Sequence, residues 1–278
     1  MSAERYQWTI PFMRAGYAGR GVTYAAIAGL SLWSIWAGGR AQGTSSTLET
    51  LHSTALGWIL LGMIAIGLIA YCVWRILNAS LDLEAYGTDG EGLLARTGMV
   101  VTGLIHAALG LVALTLFFGH SGGGGNMSTL TQRVFEMPMG RFIVGAGAIA
   151  TIGAGLYYQK KAVREEYRDD LRANHFTVNW NWALKAGVLA QGIIVTIVGS
   201  FFLLAALTYN ASEAGGMGQV FSWLSSQPFG QLLVIAICAG LAGFALFCFV
   251  NAAYRIIPRA ASDDVEKLAS KLKAKAGA

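Results

Sequence analysis

Six apolar stretches, each close to the length of a bilayer-crossing helix, constrain this chain more than any other feature. They run over residues 21–39, 56–77, 97–118, 141–158, 186–208 and 230–251. A hydrocarbon core takes about 20 apolar residues per helix. In lipid only a structure that satisfies its own backbone can span. Each stretch is apolar around its whole circumference, the mark of a helix facing lipid or other helices rather than water. The first span follows a polar and aromatic leader and is not followed by a small-residue cleavage site, so it is expected to be retained. Composition agrees: charged residues make up 13% of the chain, against about 25% in soluble domains. The 36 glycines suit close helix packing in lipid. The three cysteines, Cys72, Cys238 and Cys248, all lie within spans and offer no disulfide framework or C-x-x-C pair.

Orientation is read from where Lys and Arg fall. Seventeen of the 20 basic residues belong to the N-terminal segment, the second and fourth loops and the C-terminal tail. Only Arg40, Arg133 and Arg141 belong to the other three loops. Both termini are therefore expected in the cytoplasm. A basic cytoplasmic face meets anionic lipid headgroups, which accounts for the net charge of +5 without nucleic acid. No basic stripe interleaved with stacking aromatics appears.

The six spans form three pairs with a common pattern. Arg14-Ala15-Gly16 is matched by Arg96-Thr97-Gly98 and Lys185-Ala186-Gly187, and seven residues after each basic residue stands Gly21, Gly103 or Gly192. Gly57, Gly140 and Gly230 open the second helix of each pair. Two helices per unit make the three units parallel. The expected fold class is an all-α membrane protein, six transmembrane helices as three two-helix repeats about a pseudo-threefold axis. The divisions are 1–20 (cytoplasmic segment), 21–82, 96–165 and 185–257 (repeats), and 258–278 (cytoplasmic tail). In the tail, Asp263 and Glu266 read as a capping box, and Val265, Leu268 and Leu272 as one face of a helix lying on the leaflet. The pairs Lys161–Glu165, Glu165–Arg168 and Asp169–Arg172 suggest that the fourth helix continues into its loop.

This threefold pattern resembles a bacterial membrane family of unknown function, domain of unknown function 1206, over about residues 13–257. The resemblance implies a bacterial inner membrane and a repeated fold, and no activity.

Chemistry-bearing residues are sparse. All fifteen acids lie outside the span cores, whereas coupled transporters place an ionisable group at mid-depth. His106 is the one histidine within a span. Its repeat-equivalents are Tyr24 and Val195, so it reads as an interhelical polar contact rather than a metal or haem ligand. Gly145 to Ala150 matches G-x-G-x-x-A, but inside a span rather than between strand and helix. No catalytic motif and no cofactor site is expected. Arg14, Arg96 and Lys185, one per repeat, are the candidates for binding a ligand or anionic lipid headgroups. Tight small-residue packing without mid-depth charge favours a non-catalytic accessory or scaffold protein that binds lipid or a partner membrane complex. The alternative is a passive channel or facilitator for a small solute or anion through the repeat axis.

Overall fold

In a computed structural model, which describes residues 3–120, 127–260 and 266–276, the chain is helical throughout, with two isolated bridges and no strand among the described residues. Six long helices dominate: α1 (Ile10–Trp36), α2 (Ala55–Leu81), α3 (Gly90–Phe117), α4 (Gly140–Val163), α5 (Asn181–Thr208) and α6 (Gly230–Tyr254). Five of them, α2 to α6, are long and apolar enough to cross a membrane. α1 has the length, at 27 residues, but carries Arg14 and Arg20 within it. The division at residue 20 is thus corrected: the helix begins at Ile10 with Pro11 in its first turn, where a missing N–H costs nothing. Arg20 lies inside α1.

Each hairpin also contains a nine-residue helix that the sequence pattern does not announce: Thr44–His52, Met127–Phe135 and Met217–Ser225. These explain the repeated glycine that opens each second long helix. A Cβ at Gly57, Gly140 or Gly230 would collide with a carbonyl oxygen of Leu51, Val134 or Ser225, at the end of the preceding short helix. The glycine run 122–125, read as a flexible connection, lies outside the described residues.

The long helices pack in the order α3, α2, α1, α6, α5, α4. Within the first hairpin α1 and α2 cross where Gly19 meets Gly67; within the third, α5 and α6 cross where Ala190 meets Gly240 and Gly187 meets Gly243. Backbones approach there as larger side chains would forbid. In the middle hairpin Val101 occupies the position of Gly19 and Ala190, and it is half exposed. α3 and α4 do not form a packed pair, and Gly98, Gly147 and Gly153 have nothing within 4 Å of an added Cβ. The array therefore has an open edge between α3 and α4. Neighbouring repeats do pack: Gly21 lies against Phe249, Gly103 against Arg75 and Cys72, and Gly192 against Gln159.

At the face carrying the termini, the chain after α4 does not continue as helix. Glu165 takes a left-handed conformation, and a 3-10 turn follows over Glu166–Asp170. The turn places Tyr167 and Leu171, both fully buried, in a core with Leu184, Phe247 and Leu268. Burying these side chains outweighs the expected surface pairs. Glu165 still pairs with Arg168, but Lys161 pairs with Asp170 at 2.8 Å. The tail is corrected likewise. Its helix, Leu268–Ala276, docks on protein through fully buried Leu268, whose N–H donates to Leu171 O at 2.8 Å. Asp263 and Val265 lie outside the described residues.

Candidate functional site

The chemistry gathers around Arg20. Ten residues into α1, at a rise of about 1.5 Å each, it stands roughly 15 Å from the helix start and farther still from the exposed Trp33 and Trp36 at the other end. Its relative exposure is 3%. One guanidinium nitrogen donates to Tyr71 Oη at 2.9 Å. The guanidinium carbon lies 4.6 Å from the Tyr71 ring centroid, 5.4 Å from Phe244 and 5.8 Å from Tyr24. Arg20 Nε has no hydrogen-bond partner. Among the described residues Arg20 has no carboxylate partner. Its ionisable neighbours include Tyr71, Cys248, Tyr24, Tyr158 and His106.

Polar groups from four other helices complete the cluster. Gln191 of α5 donates to Tyr24 Oη at 3.1 Å, and its Oε1 is buried without a partner. His106 of α3 stacks obliquely on Tyr71, ring centroids 4.8 Å apart. His106 Nδ1 is 2.7 Å from Thr102 O; a carbonyl only accepts, so the proton sits on Nδ1. The hydrogen bond of His106 thus stays within α3, its contact across helices is with the Tyr71 ring, and its surroundings are cationic. Arg20, Thr23, Tyr24 and His106, with Ile27, Leu68 and Leu109, line a cavity of about 40 Å³. Thr44 and Met217, the first residues of two of the short helices, also line it.

A second cluster closes the terminal face. Arg255, directly after α6, donates to Glu84 Oε1 at 2.6 Å, and both side chains are more than nine-tenths buried. Asp170 stands 3.7 Å from Arg255, and Arg259 pairs with Asp82 at 2.8 Å. Burial alone would push the Glu84 carboxyl up; Arg255 and Arg75 outweigh it and hold it at about 2. These pairs tie the ends of all three hairpins together.

The three basic residues singled out by the repeat do not gather around a common ligand. Arg14 is exposed on α1. Arg96 Nε donates to Ala79 O at 2.6 Å, capping the carbonyl end of α2. Lys185 pairs with Glu165 at 3.1 Å. The residue that sequence reasoning passed over is Arg20, counted there with the cytoplasmic basic residues. Pro11 was the available signal: a helix opened by it carries Arg20 almost three turns inward. In the repeat register Arg20 corresponds to Thr102 and Gln191, Tyr24 to His106, and Tyr71 to Phe244. The cluster is therefore assembled from equivalent positions.

The model of one family, Domain of Unknown Function (DUF1206), matches residues 15–82, 97–165 and 186–255. The chain belongs to this family. The three matched segments follow the three hairpins, and with the apolar helices they make this a multi-pass membrane protein of tandem repeats. The chain is also similar to the uncharacterized protein YxxB of Bacillus subtilis (strain 168), 27% identical over 256 residues, 91% of this chain and 93% of that protein. No solved structure matches. The family's description assigns no activity, so function is argued from the Arg20 cluster.

Proposed function

We propose that the protein is a non-catalytic, passive facilitator for a small polar solute, with its path along the axis of the hairpins. One observation carries this reading: a buried arginine, far from either helix end and without a carboxylate partner among the described residues, faces a cavity among polar side chains from separate repeats. An ionisable residue within a membrane bundle is costly to bury and marks a pathway by default. The scaffold reading was preferred on the premise of no charge at mid-depth, and an arginine buried within α1 weighs against that premise. The cavity reaches toward Thr44 and Met217. On the terminal side, Tyr17 packs on Tyr71 at 5.5 Å, with the Glu84–Arg255 pair near them, a state closed toward that face. The alternating contacts of Gly21, Gly103 and Gly192 with the neighbouring repeat support a pseudo-threefold arrangement about this path. The basic residues on the terminal face support an inner-membrane protein with both termini in the cytoplasm.

Reconstitution into proteoliposomes tests the role. Passive flux of small solutes, followed by stopped-flow light scattering, should exceed that of empty vesicles and fall to background in Arg20→Gln. Equal flux in the two proteins would overturn the reading.

A second reading keeps the accessory role, and the open edge between α3 and α4 favours it. Val101, Leu104 and Ile105 of α3 and Phe142 and Ile149 of α4 are exposed, a face for lipid or a partner membrane complex. Specific retention of anionic lipid through native mass spectrometry, with no flux, would favour it.

A further inference from the structure

Arg20 presents a charge that the protein itself does not neutralise. Three aromatic rings surround the guanidinium within 6 Å. The rings hold the cation in place without cancelling its charge. A carboxylate would cancel it, and among the described residues none forms an ion pair with Arg20; Arg20 and Arg75 both act on His106. Arg75 is itself a cation whose Nε has no partner. Among the described residues lining the cavity, Arg20 is the only Lys, Arg, Asp or Glu.

The donor inventory points the same way. A guanidinium has five N–H groups; one is used by Tyr71, and Nε–H is unpartnered. Thr23 donates its own hydroxyl hydrogen to Gly19 O at 2.8 Å. Arg20 is the charged donor at the cavity, beside the hydroxyls of Tyr24 and Thr44. Size narrows the ligand further. A water needs roughly 10–15 Å³ of such space, so a cavity of about 40 Å³ holds a few waters or one compact ion. Phosphate esters and sugars do not fit.

We propose that the cavity beside Arg20 is a binding site for a small monovalent anion of halide size, held by the guanidinium between the rings of Tyr24, Tyr71 and Phe244. As the solute of a pathway the anion rests on the facilitator reading above; as a bound ligand it does not.

The test is calorimetric titration of chloride into the full-length protein in detergent, in gluconate buffer, with sodium gluconate as the blank. The wild type should show saturable binding of one chloride per chain. Arg20→Lys keeps the charge but loses the fixed fork of donors and should bind about tenfold more weakly; Arg20→Gln should show no saturable heat. Because Arg20→Gln disturbs a packed cluster, Thr23→Leu provides a second variant, filling the cavity while leaving Arg20 and its rings in place. It too should lose binding while eluting as a single folded species. Absence of saturable binding in the wild type, or undiminished binding in Thr23→Leu or Arg20→Gln, would overturn the site. Saturable chloride binding without chloride flux in vesicles would retain the site and overturn the facilitator role instead.

Discussion

Tyr71 accepts a hydrogen bond from Arg20 at 2.9 Å across two helices whose backbones touch at Gly19 and Gly67. Close approach and buried charge are parts of one arrangement. Without the glycine contact the tyrosine would stand too far from α1 to meet the guanidinium with both its ring and its hydroxyl.

Replacing Gly67 by Leu should therefore both loosen the bundle and misplace Tyr71. Overpacking of this kind costs typically 1–3 kcal/mol, more where backbone must move. Gly147→Leu, whose added Cβ has nothing within 4 Å, should be nearly neutral. Thermal unfolding in detergent, read by size-exclusion chromatography, should separate the two. Equal melting temperatures would show that the α1–α2 crossing is not tight.

The glycine in the first turn of each second long helix should tolerate no side chain at all. Gly140→Ala places a methyl into the Val134 carbonyl, and the short helix Met127–Phe135 must shift to accept it. A loss of stability of about 2 kcal/mol is expected, compared with almost none for Gly153→Ala, which a helix should welcome. Parallel thermal melts of the two alanine variants decide this.

Acid should unlock the terminal face. The Glu84 carboxyl, held at about 2, lies below its unfolded value of about 4.3. Its contribution is thus present in full above about pH 4.3 and is lost as pH falls toward 2. The difference amounts to at most about 3 kcal/mol. Glu84→Gln should be less stable than wild type at pH 7 and show a flatter decline between pH 5 and 3. Arg255→Ala leaves a buried carboxylate without its hydrogen-bonded partner and should be worse than Glu84→Gln at pH 7, by the several kcal/mol typical of a broken buried pair. A wild type and Glu84→Gln variant with parallel pH profiles would show that the pair is not stabilising.

Topology can be read without removing native thiols, since Cys72, Cys238 and Cys248 are buried. A cysteine at Ser212, which is exposed, should react with a membrane-impermeant maleimide in intact cells. One at Arg164, also exposed and on the terminal side, should react only after permeabilisation. The reverse pattern would invert the orientation.

By itself the sequence determined five of the spans, the repeat and the basic asymmetry. Each rests on one-dimensional quantities: apolar run length, spacing of glycines, and distribution of Lys and Arg between loops. It also marked which glycines matter, though not what they touch. The tertiary structure decided everything that depends on which helices become neighbours. Arg20 looked like one more cytoplasmic cation because a basic residue before an apolar run is the commonest placement, and only the packing of α2 and α6 on α1 shows it buried among Tyr24, Tyr71 and Phe244. Arg96 and Lys185 keep their repeat positions, yet local partners, Ala79 O and Glu165, take up their charge. Val101 differs from Gly19 by a few carbon atoms, a change too small to disturb the repeat pattern. In three dimensions it stands half exposed at the position where the other two hairpins cross on Gly19 and Ala190, and a branched side chain there does not permit the backbone approach that glycine and alanine allow.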